Sequence, residues 1–87
     1  MRYIGQDALF PRMDLRGVFA TNLRRVRHAK GISQDELAYE AKVSRSYLSQ
    51  IEKGAFYASL KVIGKLADAL DVDPAELLRT PARRRPR

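Results

Sequence analysis

The chain contains no cysteine, which removes disulfides, thiolate zinc sites and a cysteine nucleophile at once. It holds one histidine, His28, set among cationic residues on a polar face. There it reads as a solvated side chain rather than a ligand or a general base. Asp71 and Asp73 have no further acidic partners at the spacing of a calcium loop and read as helix caps. No glycine-rich phosphate loop occurs. No apolar run approaches the length of a membrane span, and the opening residues 1–7 lack the apolar core of a signal peptide, so a soluble, cytoplasmic protein is expected. Internal repeats and the two-residue alternation of strands are also missing. The expectation from these absences is a protein with no cofactor, no metal and no catalytic activity.

What is present is a short, basic chain with a strong helical pattern. Its 87 residues make one domain, and a hydrophobic fraction of 45% is ordinary for a folded chain. The formal charge of +7 points to a polyanionic partner, and its distribution is uneven. Residues 16–53 hold eight basic and four acidic residues, whereas residues 54–80 hold three and four. Residues 81–87 add four arginines, Arg83, Arg84, Arg85 and Arg87, and no acid. This partition suggests an N-terminal arm over 1–13, a folded domain over 14–80, and a basic, disordered tail over 81–87 that adds non-specific phosphate contacts. Tyr3, Ile4, Leu9 and Phe10 leave two readings of the arm open: a segment tucked against the body, or a frayed end.

From Asp14 a helical period sets in, with Phe19, Leu23 and Val26 on one stripe. Asp14 is placed to cap this first helix and Gly31 to stop it, giving a span of 15–30. Ser33 and Glu36 form a capping box, so a second helix begins at Gln34 and ends near Ala41. Ser44 caps a third, which Gly54 stops. Leu37, Ala38 and Ala41 mark the inner face of the second helix, Leu48 and Ile51 that of the third, and small alanines permit a close crossing. The outer face of the third helix carries Ser44, Arg45, Ser46, Ser49 and Gln50, small polar side chains of the kind that enter a DNA major groove. Ser59 caps a fourth helix with its stripe at Leu60, Ile63, Leu66, Ala67 and Leu70, interrupted by Gly64. Asp73 followed by Pro74 starts a short fifth helix, packed by Leu77 and Leu78. The fold class is therefore all-α, with five helices.

The segments from Leu23 to Ala38, from Val43 to Gly54, Ser59–Leu60 and from Leu66 to Val72 resemble the Cro/phage-repressor (XRE-type) helix-turn-helix family. The resemblance spans roughly residues 15–79. It implies a compact five-helix bundle of the lambda-repressor-like type, with the helix at 44–53 in the major groove of double-stranded DNA. It further implies that Gln34 bonds a phosphate, and that Ser44, Arg45, Ser46, Ser49 and Gln50 carry base and nearby phosphate contacts. Arg45 is the expected base reader, because a guanidinium can bind guanine O6 and N7 together. Tyr47 would reach sugar-phosphate or a thymine methyl, and Lys53 and Tyr57 the next stretch of backbone. Arg27 and Glu52 match a family ion pair that ties the first helix to the end of the third, and so read as structural. Two departures stand out. Lys42 occupies a turn position usually held by glycine, at a strain of ~1 kcal/mol, and brings a basic side chain near the DNA. The loop reads Tyr57-Ala58-Ser59 rather than Asn-Pro-Ser. That leaves Phe56 and Tyr57 either free for another task or plugging the gap between the third and fourth helices.

Three binding roles fit this sequence. One is a transcriptional regulator, a homodimeric repressor or controller protein similar in plan to restriction–modification controller proteins and small phage-type repressors. The second is the DNA-binding antitoxin of a toxin–antitoxin pair. The third is a protein-interaction module, against which the polar outer face of the third helix argues. One reading helix covers few base pairs, so pairing of two copies is expected, with Val72, Leu77 and Leu78 as the candidate surface.

Overall fold

The computed structural model describes residues 14–80. The proposed arm over 1–13 and tail over 81–87 lie outside the described residues. Five helices and no strands are found between those limits. None is long and apolar enough to cross a membrane.

Each helix starts where a side chain satisfies the otherwise unpaired amides of its first turn. Helix α1 runs Leu15–Ala29, and the Asp14 carboxylate accepts from the Arg16 amide at 3.1 Å. Helix α2 runs Gln34–Ala41 behind a complete capping box: Ser33 Oγ accepts from the Glu36 amide at 3.0 Å, and Glu36 accepts from the Ser33 amide at 2.8 Å. Helix α3, Arg45–Glu52, begins with Ser44 Oγ accepting from the Tyr47 amide at 3.0 Å. Helix α4, Leu60–Leu70, is capped by Ser59, and helix α5, Pro74–Leu78, by Asp73.

The ends are equally local. Gly31 and Gly54 take positive φ after α1 and α3, where glycine carries no Cβ penalty. Lys42 closes α2 at φ 58°, ψ 47°, the left-handed region expected of that turn. Asp71 does the same after α4 at φ 59°, a second non-glycine residue in that region. Gly64 does not mark a close approach of backbones, because a Cβ added there would meet nothing within 4 Å.

Leu23, Leu37, Leu48, Ile51, Leu66, Leu70 and Leu77, all fully or almost fully buried, gather all five helices on one core. Ala38 and Ala41 bring α2 against α3, and the Val43 amide donates to the Ala38 carbonyl at 3.0 Å to close the turn. Burial at Leu77 corrects one expectation: a side chain with no exposed surface offers nothing to a second chain. Leu77 belongs to the core, whereas Val72 and Leu78 keep part of their surface.

The core also has polar members that hydrophobic periodicity does not report. Asn22 is buried on α1, and its Nδ2 donates to the carbonyls of Leu77 and Arg79, both at 2.9 Å. Those carbonyls sit at the end of α5, so one amide group fastens the shortest helix to the longest. Arg25 donates to the Asn22 Oδ1 at 3.1 Å and completes its bonding. Among the described residues, no buried side-chain nitrogen or oxygen lacks a partner.

Candidate nucleic-acid interface

The junction of α1, α2 and α3 is built around a buried ion pair. Arg27 and Glu52 are 8% and 3% exposed. The guanidinium meets the carboxylate with two bonds, Nε to Oε2 at 2.7 Å and Nη2 to Oε1 at 2.9 Å. This bidentate geometry offsets part of the cost of taking both charges out of water. Arg27 Nη1 also donates to the Ile32 carbonyl at 2.9 Å, which fixes the α1–α2 connection. Burial pushes the Glu52 carboxyl upward, but bonds from Arg27 and Gln34 and the charges of Arg27 and Arg24 outweigh it. Its pKa therefore lies below the ordinary 4.5.

From that pair a chain of bonds runs to the surface. Gln34 Nε2 donates to Glu52 Oε1 at 2.9 Å, and Gln34 Oε1 accepts from Arg45 Nε at 3.0 Å. Arg45 Nη1 then donates to Asp35 Oδ1 at 3.2 Å. Two residues expected to touch DNA, Gln34 and Arg45, are thus in direct contact, and both connect to the buried pair. Arg24 joins the same junction by donating to the Glu52 carbonyl.

Ser44, Arg45 and Ser46 lie exposed at the start of α3, and Ser49 and Gln50 are half-buried further along it. Lys42 is exposed in the turn before α3, Lys53 is exposed just after it, and the Lys42 carbonyl accepts from Lys65 Nζ at 3.2 Å. The result is one polar edge with cations at both ends. Tyr47 departs from this pattern. It is half-buried against the core, with its ring 6.2 Å from that of Phe56, which leaves less of it for a nucleic-acid backbone.

The loop aromatics do not plug the gap between α3 and α4. Phe56 is 46% exposed and Tyr57 68% exposed. Tyr57 lies under the Arg16 guanidinium, 5.0 Å from ring centroid to Cζ, a cation–π arrangement. Arg16 is also bonded to Asp14, and that hydrogen bond and charge raise its pKa further. Phe56, Tyr57, Leu15 and Leu60 surround an apolar groove of about 180 Å³ that also reaches Leu78.

Sequence reasoning missed Asp35, Arg24 and Asn22. Asp35 is ten positions from Arg45, and Asn22 is 55 from Leu77, so no local period connects either pair. The only signal for Asn22 was its polar character beside Leu23, on the buried stripe.

Residues 23–77 match a family model described as helix-turn-helix. A hypothetical transcription factor of Neisseria meningitidis serogroup B is 42% identical over 71 residues, covering 82% of this chain and 67% of that protein. Control protein C.BamHI of Bacillus amyloliquefaciens is 39% identical over 66 residues, covering 75% of this chain and 82% of the relative. The crystal structure of the restriction–modification controller protein C.AhdI from Aeromonas hydrophila superposes with a TM-score of 0.70 at 45% identity. That match covers 71% of this chain and 94% of the controller.

Proposed function

The chain belongs to the helix-turn-helix family, and on that premise we propose that it is a sequence-specific DNA-binding transcriptional regulator of the repressor or controller type, acting as a homodimer. Helix α3 enters the major groove of double-stranded DNA. The observation that carries this reading is the polar edge at the start of α3, where exposed Arg45 is braced by Gln34 and through it by the buried Arg27–Glu52 pair. A guanidinium held on a rigid element suits bidentate reading of guanine, whereas a freely swinging one suits any phosphate. Ser44, Ser46, Ser49, Gln50, Lys42 and Lys53 supply the surrounding base and phosphate contacts. The reading gives the chain no catalytic task, and a genomic DNA ligand implies a cytoplasmic site of action. The names of the relatives favour a regulator over an antitoxin or a protein-docking module.

A dimer follows from the small footprint of a single reading helix. Its surface is better assigned to the apolar groove at Phe56, Tyr57, Leu60, Leu15 and Leu78 than to Val72 and Leu77. Leu15, Phe56, Tyr57 and Leu60 are four of the large hydrophobic side chains exposed among the described residues, gathered on one groove while Tyr39 lies apart beside Ile32 and Ala69. The loop bearing Phe56 and Tyr57 leaves α3 directly. Pairing there would hold two copies of α3 in a fixed relation.

Selection from a random duplex library, followed by sequencing, tests both parts. A palindromic motif with half-sites about 34 Å apart is expected, and no enrichment at all would refute the reading. Arg45→Ala should then cost ~1–3 kcal/mol at the selected operator and much less on random duplex. Leu60→Asp should shift the protein toward monomer in light scattering without unfolding it, since Leu60 is 83% exposed.

A further inference from the structure

We propose that Asp35 is a positioning residue for base reading: it stays bonded to Arg45 in the DNA complex and sets the plane of the guanidinium. This rests on the assignment of Arg45 as a guanine contact. A guanidinium has five N–H donors. Gln34 takes the one on Nε at 3.0 Å, and Asp35 takes one on Nη1 at 3.2 Å. The end-on edge of a guanidinium is made by one proton of Nη1 and one of Nη2. With Asp35 on the other proton of Nη1, that edge is left open to meet O6 and N7 of guanine side by side. Gln34 is itself held by Glu52, and the backbone that carries Asp35 lies in the capped first turn of α2.

Energy alone does not explain this contact. The side chains are 58% and 75% exposed, and an exposed ion pair contributes little to stability. A carboxylate in this position also opposes DNA, because the start of α2 is where a phosphate is expected. If the pair were only a latch that had to open, losing Asp35 would strengthen binding to every duplex. If it is a brace, losing Asp35 releases the guanidinium to rotate, which weakens guanine reading while removing a repulsive charge. The two arrangements therefore predict opposite signs at the operator.

The experiment compares wild type, Asp35→Asn, Arg45→Ala and the double variant at one salt concentration. Three duplexes are used: the selected operator, the operator with the Arg45 guanine replaced, and a random sequence. Asp35→Asn should weaken operator binding about five- to tenfold, a fraction of the value of a bidentate contact. It should leave random duplex unchanged or bound more tightly. The penalty should vanish on the replaced operator and in the Arg45→Ala background. Asp35→Glu, which keeps a carboxylate, should restore most of the discrimination. Equal tightening on all duplexes by Asp35→Asn overturns the brace. So does a lowered melting temperature with discrimination intact, which would leave Asp35 as a favourable charge at a helix start. If Arg45→Ala loses equally on operator and random duplex, the guanine assignment itself falls, and the role of Asp35 with it.

Discussion

The two halves of this small domain are joined by different physics. Where α5 meets α1 and α4, the joint is apolar, built from Leu23, Leu66, Leu70 and Leu77, with one amide, Asn22, pinning the end of α5. Where α1, α2 and α3 meet, apolar packing is overlaid by Arg27, Glu52, Gln34, Arg24 and Arg45, bonded in series. Apolar burial is indifferent to direction, so it can close a core without fixing angles closely. Hydrogen bonds and ion pairs demand alignment, and a buried polar network held at every member specifies one arrangement. On the proposed function, the half that would read DNA is the half that needs fixed angles.

The largest effect that would test this contrast comes from Glu52→Ala. It strands the Arg27 charge in the core and should cost ~3–5 kcal/mol in urea unfolding. Leu66→Ala should cost a comparable ~2–5 kcal/mol by opening a cavity. The difference lies in repair. Replacing both charges, as Arg27→Met with Glu52→Leu, should recover much of the stability but lose operator discrimination, because Gln34 and Arg45 are no longer aligned. Full discrimination in that double variant would show that the polar series is not needed for reading. Asn22→Ala comes next, at ~1–3 kcal/mol, since it takes the Asn22 donor from a buried carbonyl at Leu77 and a partly buried one at Arg79. Amide exchange should then speed up at α5 and much less at α2 and α3.

Acid provides a smaller test. The Glu52 pKa is lowered by folding, so its contribution is complete above the unfolded value of 4.5 and is lost as pH falls through the folded one. Wild type should therefore lose melting temperature below pH 4.5 more steeply than Glu52→Gln does. The smallest effect is expected in the apolar half. Gly64→Ala, on an open face of α4, should stabilise by up to ~1 kcal/mol and leave DNA binding unchanged.

The same contrast explains what the sequence made legible. Caps, stops and apolar stripes are local, so Ser33, Ser44, Ser59 and Asp73 announced their helices. The stripes of α1 and α4 announced the core, except that Leu60, at the first position of α4, lies outside it and is exposed. Lys42 was readable as a left-handed turn only through family resemblance, while Asp71 gave no warning of the same conformation. The Arg27–Glu52 pair also came from resemblance, because its 25-residue separation leaves no periodic trace. Asp35 gave no sign in the sequence of its contact with Arg45. Its neighbour across the turn is decided by how α2 and α3 cross, which only tertiary packing supplies. The half-burial of Tyr47 and the exposure of the loop aromatics were not legible for a different reason: an aromatic side chain can serve core, surface or ligand, and its residue type does not choose among them.

Lys42 has a consequence for chemical synthesis. At φ 58° and ψ 47° its backbone occupies the mirror image of the ordinary right-handed helical conformation. An amino acid of opposite chirality adopts that geometry without penalty. A synthetic chain carrying D-lysine at this one position would keep the ammonium group while relieving the strain, whereas Lys42→Gly relieves the strain and discards the charge. Comparing the two would separate what the turn owes to handedness from what it owes to charge.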